Sequence, residues 1–218
     1  VVFAALAAFL PVIRADDAPS PGGGTAAISD DAPFSISVDA DLSTRGDDGE
    51  SFVAGIDGRG TAAFGVYASG TSDFSAASVT LRWDHSRASL HPNLSGPGIP
   101  DDVLDINGIR NLRLAAERNA LAASSGAIAA IREEPSPGVA VFTFAQTGTQ
   151  PTPVSGGLLC FAAFVTASGF SPGDTLAVSV DVSLYDENNA IAEAGPDTAY
   201  ILARPPPLAI TKTSSGDT

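Results

Sequence analysis

Residues 175–184 read TLAVSVDVSL, and apolar side chains alternate along this segment with small or polar ones. Residues 34–42, FSISVDADL, repeat the pattern. A period of two is typical of a β-strand with one face on a core and the other in water. The two segments therefore predict an antiparallel β-sandwich. The side chains expected on the water-facing side are Ser35, Ser37, Asp39, Asp41, Ala177, Ser179, Asp181 and Ser183.

Further strands are predicted between these two segments and after them. Gly and Pro are frequent, with 22 and 16 in 218 residues, as expected of an all-β chain with many turns. Pro135–Gly138 predicts the turn of a hairpin, and tight turns are also expected at 172–174 and 186–189. The additional strand segments are 61–67, 77–83, 128–134, 139–145, 158–165 and 198–203.

The middle of the chain interrupts this regular pattern. Residues 92–100 are predicted to be a loop. Residues 109–123 are rich in Ala, Leu, Arg and Glu, which favour a helix, although Leu112 and Leu114 also fit the start of an edge strand. We favour an insertion that contains a helix. The fold class predicted is thus an all-β sandwich of eight or nine strands with a short irregular or helical insertion.

The chain carries a formal net charge of −14. Such a charge repels phosphate backbones and anionic lipids, so nucleic-acid binding and adsorption to anionic membranes are disfavoured. A well-solvated surface is the simplest explanation of the charge. An acidic face suited to a basic partner or to Ca²⁺ is the alternative.

Four regions are predicted along the chain. Residues 1–15 contain an apolar run that ends near Ala15, which is typical of a partial secretory signal peptide and too short for a stable membrane span. Residues 16–33 are a Pro-, Gly- and Asp-rich flexible lead-in, and 34–203 form the sandwich. Residues 204–218 are a Pro-rich linker and the truncated start of a further domain. A secreted or cell-surface multidomain protein is expected.

No motif of known catalytic chemistry is present. The sequence lacks a Gly-x-Ser-x-Gly nucleophile elbow, and Gly22–Gly24 has neither the preceding strand nor the lysine of a phosphate loop. His85 and His91 lie near Asp84 and several serines, but His85 follows a strand end where a turn is expected. The prediction is a protein that is not an enzyme, with no catalytic residues and no cofactor.

Metal binding has little support in the sequence. In the segment 101–112, DDVLDINGIRNL, an alignment on Gly108 with a helix–loop–helix calcium loop places Val103 and Leu114 at two essential ligand positions. No metal site is therefore predicted, although an irregular Ca²⁺ site is left open. Its candidate ligands are Asp101, Asp102 and Asp105. Cys160, the single cysteine, lies in an apolar run and is expected to be a small buried hydrophobe.

Aromatic residues are the natural candidates for carbohydrate binding. Trp83 and Tyr67 could stack on sugar rings. Trp83, however, shares a strand face with Val79 and Leu81, which favours a place in the core. An aromatic platform is therefore not evident.

Several segments together resemble the cohesin family over about residues 50–203. They are Phe64–Tyr67, Ser78–Asp84 with Leu90 after it, Val141–Ala145, Gly157–Val165 and Gly173–Val182. The resemblance implies a nine-stranded jelly-roll sandwich that binds a protein partner, a calcium-loaded dockerin in cellulosomal members. The segment Leu208–Thr213 resembles the opening of a β-sandwich repeat found in large prokaryotic surface proteins.

The sequence also departs from the cohesin pattern. His85 stands where cohesins usually carry proline, the insertion at 92–127 is long, and the strand at 34–42 precedes the usual start. No partner-binding residues are therefore transferred, and they remain unknown. The function predicted is a non-enzymatic extracellular interaction module that binds a dockerin-like protein. The alternatives are a carbohydrate-binding module for a polysaccharide and a structural spacer or assembly subunit, and the oligomeric state stays open.

Overall fold

Two β-sheets pack face to face in the computed structural model of the chain, which describes residues 34–56, 60–147, 152–186 and 191–203. The predicted signal peptide, lead-in and C-terminal linker, and most of the turn at 186–189, lie outside the described residues. The strands are β1 (Phe34–Asp39), β2 (Phe52–Ile56), β3 (Thr61–Phe74), β4 (Ala76–Trp83), β5 (Ala88–Leu90), β6 (Gly98–Ile99), β7 (Val103–Ile106), β8 (Ile109–Arg113), β9 (Glu117–Arg118), β10 (Ile128–Ser136), β11 (Val139–Gln146), β12 (Val154–Thr166), β13 (Thr175–Tyr185) and β14 (Ile191–Ala203). One helix, α1 (Ala120–Ser125), lies between β9 and β10.

The larger strands divide into a four-stranded and a six-stranded sheet. The four-stranded sheet has the order β1-β3-β12-β5, and the six-stranded sheet has the order β10-β11-β4-β13-β14-β2. Every pairing in the two sheets is antiparallel except β14 with β2. All eight predicted strands are present, which confirms the all-β sandwich. The short strands β2 and β5 are additional.

The main core lies between the two sheets. The apolar positions of β13 are all buried there, as the alternation predicts: Leu176, Val178, Val180, Val182 and Leu184. Phe64 stacks on Phe164 with ring centroids 5.8 Å apart, and the Trp83 ring meets Phe164 edge-on at 5.1 Å. Such ring pairs contribute beyond the apolar area that they bury.

The insertion folds over the outer face of the four-stranded sheet. Its strands form two ribbons, β6 with β9 and β7 with β8. A second apolar cluster fills the space between the insertion and the sheet: Leu42, Ala63, Tyr67, Ile99, Ile106, Leu114, Leu158, Phe161 and Ala163. We call this side the covered face. Of the predicted helix at 109–123, only the C-terminal part is helical, and Leu112 lies in β8, as in the strand alternative.

Two buried asparagines hold the insertion in place. The Asn107 amide accepts from the N–H of Ala63 at 2.6 Å and donates to the carbonyl oxygens of Ala63 and Ala40 at 2.8 and 3.2 Å. Asn119 caps α1 by accepting from the N–H groups of Leu121 and Ala122, and its amide donates to a β12 carbonyl. These bonds satisfy backbone groups that the insertion shields from water.

One expectation for the first strand is wrong. Asp39 was expected to face water, but it is only 1% exposed, and β1 ends at this residue. The periodicity of β1 is correct and Ser35 on its second face is exposed, but the Asp39 carboxyl at the end of the strand meets the loop that follows β1, where Asp41 and Asp48 are its partners.

Candidate partner-binding face

The outer face of the six-stranded sheet carries no covering segment among the described residues. We call it the open face. The pairing registers place these outward side chains on it: Phe52, Ser78, Thr80, Arg82, Ile131, Glu133, Val139, Val141, Thr143, Ala177, Ser179, Asp181, Ser183, Glu193, Thr198 and Tyr200. In the central strands β4, β11 and β13 these positions alternate with buried core residues, because successive side chains point to opposite sides. Small hydroxyl side chains dominate the centre of the face.

The outward residues of β13 lie near the middle of this face. Ser179, Asp181 and Ser183, which the alternation places on the water-facing side, lie in a strand of the six-stranded sheet, and each is partly exposed. Asp181 accepts a hydrogen bond from the guanidinium of Arg82 on the neighbouring strand β4, and both side chains remain about half exposed. This ion pair is the central polar feature of the open face.

An aromatic pair marks the edge of the open face. Phe52 in the edge strand β2 lies directly beside Tyr200 in β14. Their rings stack with centroids 5.6 Å apart and an interplanar angle of 22°. The side chains point outward because their neighbours Val53, Ala199 and Ile201 are buried.

The charges differ between the two sides of the sandwich. Three described arginines form no ion pair, and all belong to the covered side: Arg45, Arg110 and Arg118. Arg45 and Arg118 line a cleft of about 880 Å³ beside α1 and β12. On the open face, Glu133 and Glu193 are exposed and form no ion pair with another described residue.

The covered face instead buries polar groups. The Tyr67 hydroxyl donates to Glu117 at 3.0 Å, and the N–H of Gly46 donates to the same carboxylate oxygen at 3.0 Å. Burial, together with the negative charge of Glu117, raises the pKa of Tyr67 far above its ordinary value. Tyr67 is 4% exposed and is thus unavailable as a sugar platform.

Asp39 lies at the edge of the same buried region. Burial and hydrogen bonding with Asp48 raise the pKa of Asp39 to about 7. Its Oδ1 accepts from the N–H of Asp41 at 2.9 Å. Asp41 behaves in the opposite way, because hydrogen bonds from Ser43 lower the pKa of its carboxyl. The Asp39 carboxyl, which stays protonated close to neutral pH, therefore fixes the start of the loop after β1 through its hydrogen bond with the N–H of Asp41.

The two histidines have structural surroundings. The Nδ1 atom of His91 accepts from the N–H groups of Asn93 at 3.2 Å and Leu94 at 3.1 Å, which caps a turn. His85 is exposed in the turn after β4. Among the described residues, neither imidazole has a hydrogen bond to a serine hydroxyl or a carboxylate.

The three aspartates considered as ligands of an irregular Ca²⁺ site each bind another group. Asp101 pairs with Arg113 at 2.8 Å, Asp102 accepts from the N–H of Val103, and Asp105 accepts from the N–H of Asn111. Within the described ranges, no group of three or more His, Cys, Asp or Glu side chains is placed to hold a metal ion.

The remaining candidates of the sequence belong to the core. Trp83 is half-buried against the main core, and its Nε1–H donates to the Ala88 carbonyl at 2.9 Å. Cys160 is fully buried, and burial raises the pKa of its thiol. The Cys160 side chain is therefore unavailable to a ligand, and Trp83 packs partly buried against the core.

Sequence reasoning missed the aromatic pair. Although 148 positions separate Phe52 and Tyr200 in the sequence, the parallel pairing of β2 with β14 brings them together. The available signal was the large aromatic side chain of Tyr200 at an outward position of a predicted strand.

No described helix is long and apolar enough to cross a membrane.

Solved structures of cohesin modules share this architecture. The third cohesin ScaC of Acetivibrio cellulolyticus, solved with a mutated ScaB dockerin, is 10% identical with a TM-score of 0.53. CaCohA2 of Clostridium acetobutylicum, solved with CaDoc0917, is 16% identical with a TM-score of 0.51. Each match covers 78% of this chain and 99% of the other. The chain has the cohesin fold.

The likeness to cohesins is one of structure. No family model matches this cohesin-like chain, and no curated protein is similar to it in sequence. At identities of 10–16%, the comparison establishes the jelly-roll sandwich and confirms the resemblance found in the sequence.

Proposed function

We propose that this cohesin-like chain is a non-enzymatic interaction module that binds a dockerin-like protein through its open face. The observation that carries the proposal is the asymmetry of the sandwich. The insertion and its apolar cluster occupy the outer face of the four-stranded sheet, whereas the six-stranded sheet keeps its outward side chains accessible. Within the described part of the chain, a partner that docks on a sheet can therefore use only the open face.

The size of the open face supports this proposal. Six strands spaced about 4.8 Å apart make the sheet about 24 Å wide, and its eight-residue strands are about 27 Å long. The resulting area of about 650 Å² is close to the roughly 800 Å² per partner that a specific interface buries. The fold relatives ScaC and CaCohA2 were both solved in complexes, one of them with a dockerin.

The wider setting belongs to the proposal as well. The apolar run at 1–15, the lead-in at 16–33 and the Pro-rich segment at 204–218 support an extracellular module within a longer surface protein. A spacer would need no distinctive surface, but the open face has an ion pair and an exposed aromatic pair. Those features favour an interaction module.

Isothermal titration calorimetry of the 218-residue chain tests the proposal. The chain is titrated with a panel of dockerins, first with Ca²⁺ and then with a chelator. We expect affinity of about 1 μM or tighter with Ca²⁺ and its loss with the chelator. Absence of binding to the whole panel would overturn the dockerin assignment.

A pair of matched variants tests the face. Thr80→Arg places a large charged side chain at the centre of the open face, opposite Asp181 and Val141. Ser89→Arg makes the same change on β5 of the other sheet. We expect the first to weaken dockerin binding at least about tenfold and the second to leave it unchanged. Equal affinities would show that the partner binds elsewhere.

A further inference from the structure

The aromatic pair of the open face is exposed to an unusual degree. Phe52 is 57% exposed and Tyr200 is 38% exposed, although large aromatic side chains are normally buried. The other exposed large hydrophobic residues among those described, Val103 and Ile109, lie in the β7–β8 ribbon of the insertion. The pair therefore forms the one aromatic patch within the described part of the open face.

We propose that Phe52 and Tyr200 anchor a docking site for a basic protein segment, which lays an arginine or lysine side chain against their rings. This inference deepens the proposed function, and it rests on that function because the segment would belong to the partner that covers the open face. The proposed function did not specify where the partner's contact lies or what it is made of; here the contact lies at the β2 edge, and the partner supplies a cationic side chain.

The charges of the open face favour a basic partner. On this face, Glu133 and Glu193 are exposed and form no ion pair with another described residue. The cation of this face, Arg82, is already paired with Asp181. The open face therefore offers unpaired carboxylates and no unpaired described cation, within a chain of net charge −14. Complementary charge on a partner increases its association rate and excludes acidic competitors.

The ring geometry favours a cation over a sugar. The two rings stack with their centroids 5.6 Å apart and an interplanar angle of 22°, so each ring partly covers one face of the other and the pair does not form one continuous flat platform. A sugar ring stacks on a broad aromatic face, whereas a guanidinium or ammonium group needs only one ring face within about 6 Å. The face of an aromatic ring carries negative electrostatic potential, which attracts a cation.

Fluorescence anisotropy with labelled peptides tests this inference on the full chain at physiological ionic strength. The probes are short peptides of alternating arginine and serine, alternating lysine and serine, and alternating glutamate and serine. Cellohexaose and xylohexaose are titrated separately by calorimetry. The variant Phe52→Ala/Tyr200→Ala removes the pair, and Ile109→Ala, which removes a 51% exposed side chain from the insertion, is the matched control.

We expect both basic peptides to bind, the acidic peptide not to bind, and the double variant to raise the basic-peptide Kd about tenfold. Ile109→Ala should leave the Kd unchanged. No binding of the basic peptides, an unchanged Kd in the double variant, or an equal rise in Ile109→Ala would overturn the inference. Binding of an oligosaccharide that the double variant abolishes would overturn it in favour of a carbohydrate site. Because the peptides are not dockerins, this result is independent of the dockerin panel.

Discussion

The two sheets of the sandwich use their outer faces in opposite ways. The four-stranded sheet lies under the insertion, with Phe161 fully buried and Tyr67 almost so. The six-stranded sheet shows hydroxyl side chains, an Arg82–Asp181 ion pair and an aromatic pair to solvent. One outer face has thus become a second core, and the other has remained a surface.

The difference shows that the insertion determines which outer face is buried and which stays accessible. Residues that cover the first sheet contribute stability through apolar burial, and their removal should affect folding. The outward side chains of the six-stranded sheet contribute little to folding, and their removal should affect binding. Stability and binding variants should therefore separate by face, which the following substitutions test from the largest expected effect to the smallest.

Phe161→Ala should have the largest effect on stability. The Phe161 side chain is 0% exposed in the cluster between β12 and the insertion, and a large-to-small change at such a site costs about 3–5 kcal/mol. Val141→Ala on the open face should cost less than about 1 kcal/mol, because its side chain is only partly buried. Urea denaturation measures both, and equal losses would contradict the division between the faces.

Asn107→Ala should follow, with a loss of about 3 kcal/mol. The substitution leaves the N–H and the carbonyl of Ala63 and the carbonyl of Ala40 without their side-chain partner in a buried region. Asn111→Ala is the matched control, since both asparagines adopt a positive φ, 52° and 53°, but Asn111 is exposed. The control reports the backbone strain of alanine there, about 1 kcal/mol. If the two variants unfold at the same urea concentration, the buried amide has no special role.

Asp39→Asn should change the pH dependence of stability. The carboxyl titrates near 3.8 in the unfolded chain and near 7 in the folded protein, so folding favours its protonated form. Its contribution to stability is full below about pH 4 and is lost as the pH rises to about 7. The asparagine variant mimics the protonated state. We expect it to exceed the original protein by on the order of 2 kcal/mol at pH 8 and to match it near pH 4.

Thermal unfolding between pH 4 and 8 measures this difference. Asp41→Asn is the control with the opposite sign, because the pKa of Asp41 is lowered and its charged form is the one that folding favours. That variant should lose stability at neutral pH and gain none. Parallel curves for Asp39→Asn and the original protein would show that Asp39 is already ionised at neutral pH.

These comparisons also show how far the sequence alone could reach. Alternation along 175–184 predicted β13 and its buried side, because local periodicity reports which side of a strand meets a core. Alternation along 34–42 could not predict that Asp39 is buried, since periodicity does not report the contacts of its carboxyl with Asp41 and Asp48 in the following loop. Asn107 acts over long range, through its bonds to Ala40 and Ala63. A contact between distant segments leaves no periodic signal in either.

The smallest stability effect is expected at the centre of the open face. Asp181→Ala removes the partner of Arg82, but both side chains are about half exposed, and such surface pairs contribute about 0–1 kcal/mol. The same variant frees a cation on a face that otherwise offers unpaired carboxylates. It should therefore weaken binding of the arginine–serine peptide while the urea midpoint barely moves. A large loss of stability with unchanged peptide affinity would show that Asp181 contributes to folding and not to binding.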